Sequence, residues 1–137
     1  MGFEVYLNCF GETLAIGISR VAVRSLFPVI EGESEPDFWR VRYDDQNCCH
    51  VGVTALPSEK ARLKGLSVDR PCADVRLWEA LLCVLRMGSV VMFWPGSPPV
   101  VADDAIGMNL SEDITDTIGR PRSVRSGEEI LRLLRET

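Results

Sequence analysis

Residues 38–55 read FWRVRYDDQNCCHVGVTA, and this stretch predicts the β-hairpin around which the rest of the fold is arranged. Apolar and polar residues alternate in both halves, and a period of two is typical of strands buried on one side. The apolar positions are Trp39, Val41 and Tyr43, then Cys49, Val51, Val53 and Ala55. Asp44 to Asn47 supply the polar residues of a turn.

The length of this turn sets the register of the hairpin. A loop with an even number of residues would turn Val51 and Val53 towards solvent. A three-residue loop at 45–47 pairs Tyr43 with Cys49 and brings all the apolar residues to one face, and burial of one face is what fixes register. We therefore predict the three-residue loop, with Asn47 in the left-handed conformation that asparagine tolerates.

Cys48, Cys49 and His50 are the nearest approach to a metal-binding or catalytic motif. Adjacent strand residues point to opposite faces, so the two cysteines cannot share one metal ion, and Cys48 with His50 supplies at most two ligands. The sequence has no C-x-x-C motif and no second histidine, so we expect no metal site. Cys48 and His50 also lie about 6.5–7 Å apart along the strand with parallel side chains, which is a poor geometry for a nucleophile and its base.

Polar residues on the other side of the hairpin form a candidate anion site. The predicted register places Arg42 opposite His50 and Arg40 opposite Gly52. Arg40, Arg42 and His50 could bind an anion such as a carboxylate, either in a small-molecule-binding domain or in an enzyme. The simpler interpretation is a solvated sheet face without a ligand.

The flanking segments complete an α+β fold. Alternation and capping predict strands at 3–10, 64–70 (the weakest) and 89–94, and helices at 19–28, 74–87, around Ile114 and Ile118, and from Ser126 onward. We predict a mixed, mostly antiparallel sheet of about five strands, with helices mainly on one face and a helical C-terminal tail. Residues 1–137 are expected to form one domain, because cutting at either connector, 31–37 or 95–99, leaves a fragment too small for its own core.

Composition narrows the classes of function. The net charge of −5 disfavours nucleic acid as a partner, since an acidic surface repels phosphate. The start resembles no signal peptide and no apolar run is long enough to span a membrane, so we expect a cytoplasmic protein without membrane partners.

Five cysteines, an odd number, argue against a closed disulfide framework. Arginine outnumbers lysine 13 to 2, which suggests a GC-rich bacterial genome.

The connector at residues 31–37, which we call the acidic connector, is the basis of the functional hypothesis. Its four acids, Glu31, Glu33, Glu35 and Asp37, fall within seven residues. They either steer a basic partner electrostatically or only keep the connection solvated. No cofactor-binding or catalytic motif is present, so no cofactor is expected. We expect a non-catalytic bacterial protein that binds another protein as a regulatory or toxin-neutralising partner. The alternative is the small-molecule or anion site at Arg40, Arg42 and His50.

Overall fold

A computed structural model describes residues 3–110, 115–116 and 119–137 of the chain. The strands are β1 Glu4–Cys9, β2 Ile18–Ser19, β3 Phe38–Asp44, β4 Asn47–Leu56, β5 Glu59–Asp69, β6 Val90–Phe93, β7 Val100–Val101 and β8 Arg122–Ser123. The helices are α1 Gly11–Ile16, α2 Arg20–Arg24, α3 Val75–Leu85, α4 Asp104–Gly107 and α5 Gly127–Glu136. The predicted α+β class is confirmed. The sheet has eight strands instead of about five, and the difference comes from β2, β7 and β8, which contain only two residues each.

The strands form one mixed sheet in the order β3-β4-β5-β1-β6-β7-β8, with β2 pairing beside β5. Every pair is antiparallel except β7 with β8. Because β5 and β6 both run antiparallel to β1, they run parallel to each other, with β1 between them. Helix α3 makes this connection, and it crosses over the central strand.

The two faces of the sheet differ in burial, as the alternation in β1 predicts. We call the face that carries Val5 and Leu7 the inner face, and both side chains are fully buried there. Helices α3 and α5 pack on the inner face, and residues of both helices join its hydrophobic cluster. The opposite, outer face carries Tyr6 and is exposed to solvent over the central strands. Helix α4 and Leu110 cover its far end, near β6 and β7.

Each predicted helix start that the structure describes has its capping side chain. Ser19, Asp74 and Ser126 accept hydrogen bonds from backbone amides in the first turns of α2, α3 and α5. These bonds satisfy amides that have no partner inside the helix. The predicted helix around Ile114 and Ile118 falls on residues 111–114 and 117–118, outside the described residues.

The predicted hairpin register is wrong by two residues. Val41 pairs with Cys49, and Trp39 pairs with Val51, two positions away from the predicted partners. Because a shift of two preserves the alternation, the apolar residues still share the inner face. Cys48 and Cys49 do point to opposite faces, since Cys49 is buried on the inner face whereas Cys48 is half-buried on the outer one.

The cause is the side chain of Asp44, which closes a tighter turn. Its carboxylate accepts hydrogen bonds from the backbone amides of Gln46 and Asn47, each at 2.9 Å, and from the side-chain amide of Asn47. The turn therefore contains two residues, and the extra residue becomes a β-bulge at Tyr43. Asn47 is not left-handed: within the described residues, Arg70 is the only residue other than glycine with a positive φ, at 50°.

Further elements differ from the sequence prediction: α2 ends at Arg24 instead of continuing to residue 28, and α4 was not predicted. Strand β5 was expected to be the weakest, yet it extends over 11 residues and pairs with β1, β2 and β4. Helix α1 was not predicted, and none of its residues is buried. Within the described part of the chain, no helix combines the length and the apolar character needed to cross a membrane.

Candidate functional site

A row of aromatic and small residues crosses the outer face. Phe38 pairs with Gly52, Gly52 with Ser67, Ser67 with Tyr6, and Tyr6 with Phe93, so one residue from each of five adjacent strands lies in register. We call these five residues the aromatic row. Its large side chains stand at both ends, with Gly52 and Ser67 as a shallow centre.

At one end of the aromatic row, Phe38 stacks on His50. The ring centroids are 4.9 Å apart and the planes differ by 8°. Gly52 lies beside the ring: a Cβ there would be in ordinary contact with Phe38, at 3.5 Å, and in tighter contact with the Ser67 hydroxyl, at 3.3 Å. Phe38 nevertheless remains 44% exposed, so the stack presents a flat apolar surface to solvent.

At the other end, Tyr6 stacks on Phe93 with centroids 5.5 Å apart and planes 26° from parallel. The Glu4 carboxylate, two residues along the same face, is the main reason that the pKa of Tyr6 is raised. Tyr6 is 37% exposed. The stacking limits the rotamers of Tyr6, so an approaching molecule meets a preset surface.

A second row beside the first carries charge. Arg40 pairs with His50, His50 with Asp69, and Asp69 with Glu4, which places basic groups over β3 and β4 and acidic groups over β5 and β1. We call these four residues the charged row. This pairing corrects the predicted partners, because the two-residue shift moves Arg40 opposite His50 and Arg42 opposite Cys48.

The three residues of the predicted anion site lie close together but differ in accessibility. Arg42 is exposed, whereas Arg40 and His50 are partly buried. Arg40 forms an ion pair with Glu33 at 3.4 Å, and its buried Nε has no hydrogen-bond partner in the described part of the chain. One guanidinium is therefore largely committed to the acidic connector, and Phe38 covers one side of the histidine ring.

Arginines neutralise most of the acidic connector. Glu31 pairs with Arg24 at 2.7 Å, and Asp37 pairs with Arg20 at 2.8 Å. With the bond from Glu33 to Arg40, three of the four acids have an ion-pair partner, and Glu35 is the remaining exposed acid. The connector therefore presents much less net negative charge than its sequence indicates, which weakens its long-range field.

The described residues contain no cluster of three or more His, Cys, Asp or Glu side chains that could hold a metal ion. Trp94, which follows β6, anchors the next loop to the core. It is buried, its indole N–H donates to the Thr137 hydroxyl at 2.9 Å, and its backbone amide donates to the Ser97 hydroxyl at 2.8 Å. The loop that follows it is thereby tied to the core.

Sequence reasoning did not identify the aromatic row. Alternation does place Tyr6 on the outer side of β1 and Phe38 on the outer side of β3. The row exists only because β5 and β1 lie between β4 and β6, and the order of strands distant in the sequence is not encoded by local periodicity. The available signal was an outward-facing aromatic residue in each of two strands.

Comparison with known proteins gives no relative: no protein-family model, no curated protein and no solved structure matches the chain.

Proposed function

We propose that this protein is a non-catalytic binding protein that docks another protein on the outer face of its sheet. The observation that carries the proposal is the aromatic row, in which Phe38, Tyr6 and Phe93 are held in register across five strands. Exposed, pre-oriented aromatic side chains supply most of the binding free energy at many protein interfaces, because they bury a large area at a low cost in conformational entropy.

The shape of this face favours a protein over a small molecule. Two stacked aromatic pairs flank a low centre of Gly52 and Ser67, and these five strands span roughly 20 Å at the usual strand spacing. A surface of this breadth suits the flat contact of a protein interface, whereas small ligands are usually held in a concave pocket that encloses most of their surface.

Charge specifies the partner further. Glu4 and Asp69 are adjacent in the charged row and lie beside Tyr6, and the whole chain carries a net charge of −5. We therefore propose a partner that places basic groups over β1 and β5. A toxin neutralised by this chain, or a basic protein regulated by it, would have that chemistry. Complementary charge would mainly raise the association rate and fix the orientation.

The acidic connector is assigned a secondary role. Its ion pairs join it to α2 through Arg20 and Arg24 and to β3, the strand at the edge of the aromatic row, through Arg40. We propose that it forms part of the rim of the interface and adds little to electrostatic steering. Neutralising all four acids should then change the association rate less than neutralising Glu4 and Asp69 does.

The experiment compares substitutions on the face with a matched exposed residue elsewhere. The partner is captured from cells that carry the gene, identified, purified and titrated against the wild-type chain, Phe38→Ala, Tyr6→Ala and Val21→Ser. Val21 is 77% exposed on α2, so it controls for the general loss of surface apolar area. Each face variant should weaken binding at least tenfold, about 1.4 kcal/mol, while Val21→Ser stays within twofold.

The proposal fails if Phe38→Ala and Tyr6→Ala bind the partner as tightly as the wild type does. The rival function, an anion site at Arg40, Arg42 and His50, is tested separately by titrating inorganic phosphate. Saturable phosphate binding that is lost in Arg42→Ala, with no protein captured, would favour the rival, because Arg42 is the exposed arginine of that group.

We also infer a bacterial, cytoplasmic protein. Its five cysteines are free thiols, a state that a reducing compartment maintains. The arginine to lysine ratio of 13 to 2 supports a GC-rich bacterial source. Fractionation of the native cell, with detection by antibody, tests the compartment; recovery from the periplasm or the medium would contradict it.

A further inference from the structure

A hollow opens on the outer face, next to the centre of the aromatic row, and helix α1 forms one side of it. Its volume is about 310 Å³, which is at the lower end of the range for small-ligand pockets. Its floor is the next row of the sheet, in which Thr54 pairs with Gly65 and Gly65 pairs with Asn8. The residues that line it are Asn8, Cys9, Leu14, Thr54, Lys64 and Gly65.

Gly65 keeps the hollow open. It is buried, and a Cβ there would lie 2.7 Å from Oδ1 of Asn8 and 2.9 Å from the carbonyl oxygen of Leu7. Any side chain at this position would therefore collide with β1 as well as fill the floor. Because the middle of the row has no side chain, Asn8 and Thr54 stand on either side of a gap.

A β-bulge in β5 brings Lys64 to the same hollow. Thr54 pairs with Gly65, but Ala55, the next residue of β4, pairs with Leu63, so Lys64 is an extra residue without a partner on β4. Strict alternation would place Lys64 on the inner face, because its neighbour Gly65 belongs to the outer one. The bulge changes that direction, and Lys64 lines the outer hollow instead.

Three polar side chains of the hollow have no protein partner. Within the described part of the chain, the amide of Asn8, the hydroxyl of Thr54 and the ammonium group of Lys64 form no hydrogen bond or ion pair. None of the residues that line the hollow is acidic. One cation, two neutral donors and no carboxylate are a setting that favours an anion.

Leu14 supplies an apolar wall. It lies on α1 and is 46% exposed. Although no residue of α1 is buried, the helix is held in place, because the Thr13 hydroxyl accepts a hydrogen bond at 2.9 Å from the Ser89 amide. At the end of α1, the Arg62 guanidinium donates to the carbonyl oxygens of Ile16 and Gly17 at 3.0 and 2.9 Å. The wall is therefore preformed.

We propose that this hollow binds a small carboxylate with a short apolar tail. Lys64 pairs with the carboxylate, Asn8 and Thr54 donate hydrogen bonds to it, and the tail packs on Leu14. A single cation matches the single charge of a carboxylate, whereas a phosphate dianion would keep one charge uncompensated. The site goes beyond the proposed docking function and does not rest on it.

The test titrates butyrate into the full-length chain labelled with ¹⁵N and follows the backbone amide signals by NMR. We expect saturating shifts at Asn8 and Gly65 with a Kd of about 1–10 mM, since a ligand with so few atoms binds weakly. Sodium chloride lacks the tail and 1-butanol lacks the charge, so neither should give saturating shifts there. Saturation by 1-butanol at the same concentrations would show an apolar patch without a carboxylate site.

Lys64→Gln and Lys60→Gln are the matched variants, since these are the two lysines of the chain and both lie on β5. Lys60 is exposed, and it is its backbone carbonyl that accepts a hydrogen bond from Arg20, so its substitution keeps that contact. Lys64→Gln should raise the Kd for butyrate at least tenfold, while Lys60→Gln stays within twofold.

Two results would overturn the proposal: no saturating shift at Asn8 and Gly65 with butyrate, or an equal loss of affinity in the two lysine variants. Either result leaves the docking function standing, because Phe38→Ala and Tyr6→Ala test that surface with a protein partner. Conversely, a docking surface that fails its own test does not change the expected binding of butyrate.

Discussion

Gly127 is the first residue of α5 and the point at which that helix touches α3. A Cβ at this position would lie 2.8 Å from the backbone nitrogen of Glu79 and 3.0 Å from its side chain. Alanine has a better helix propensity than glycine, yet here it cannot fit without moving one helix. We expect Gly127→Ala to lower the free energy of unfolding by about 1–3 kcal/mol in urea melts.

Gly32 provides the control for Gly127→Ala. It is exposed, a Cβ there would meet no atom within 4 Å, and its φ is not positive. Gly32→Ala should therefore change stability by less than about 0.5 kcal/mol. If Gly127→Ala and Gly32→Ala change the free energy of unfolding equally, α3 and α5 do not approach each other as closely as the structure shows.

Asp44 should make stability depend on pH. Hydrogen bonds from the Asn47 side chain and the Gln46 backbone lower the pKa of Asp44 in the folded chain. Its stabilisation is therefore complete above the unfolded value, about 3.9, and is lost as the pH falls through the lower folded value. Asp44→Asn should have a lower urea midpoint than the wild type at pH 7, and the difference should shrink below about pH 4.

Asp45→Asn is the control for Asp44→Asn, since it removes the same charge from the next, exposed turn residue. Its urea midpoint at pH 7 should stay close to that of the wild type. A constant difference between Asp44→Asn and the wild type from pH 7 to pH 2.5 would contradict the role assigned to the ionised carboxylate.

The turn at Asp44 also shows what could not be predicted from the sequence at the residue scale. The alternation of Trp39, Val41 and Val51 correctly predicts which face each residue occupies, because burial is encoded residue by residue. The register depends on which of two turns is lower in free energy, and three hydrogen-bond donors that converge on one carboxylate decide it. A period of two cannot distinguish registers that differ by two residues.

In helix α3, Leu81 and Glu79 contribute to stability in different ways. Leu81 is fully buried between the sheet and α5, so Leu81→Ala should cost about 2–5 kcal/mol. Helical spacing alone places Glu79 on the exposed stripe and predicts almost no cost. Its carboxylate, however, accepts a hydrogen bond at 2.7 Å from the Gly127 amide at the start of α5.

Glu79→Ala should therefore cost about 1 kcal/mol, because it leaves an amide at the start of α5 without its partner. Glu128→Ala is matched to it, since Glu128 is an exposed acid in the first turn of α5. We expect that variant to lose less than about 0.5 kcal/mol. If Glu79→Ala and Glu128→Ala have the same urea midpoint, the hydrogen bond from Gly127 to Glu79 does not stabilise the contact between the helices.

Elements with a strong local signal were predictable, and those stabilised by distant contacts were not. Helix α3 has a cap at Asp74 and a sustained apolar pattern, so its bounds follow from the sequence. Strand β5 has weak periodicity, and it gains its length from pairing on both sides. Gly65 within it lies so near β1 that a Cβ would come 2.9 Å from the Leu7 carbonyl oxygen. Such a contact has no signature within the strand itself.

At the scale of the whole molecule, strand order creates the candidate sites. Placing β1 between β5 and β6 aligns Tyr6 with Ser67 and Phe93 on the outer face. The proposed docking surface therefore depends on the order of strands that are distant in the sequence.

The single hydrophobic cluster on the inner face predicts cooperative unfolding of the whole chain. It includes all three tryptophans: Trp39 in β3, Trp78 in α3 and Trp94 after β6. Because these lie near one edge, in the helical layer and near the other side of the sheet, their fluorescence reports on separate parts of the core. We expect urea transitions followed by tryptophan fluorescence and by far-UV circular dichroism to coincide, as in two-state unfolding of one domain. Conservative Trp39→Phe and Trp94→Phe variants, which leave different reporters, should each retain coincident transitions. If one reporter melts at a distinctly lower urea concentration than the backbone signal, the two ends of the sheet unfold separately, and the chain is not one cooperative unit.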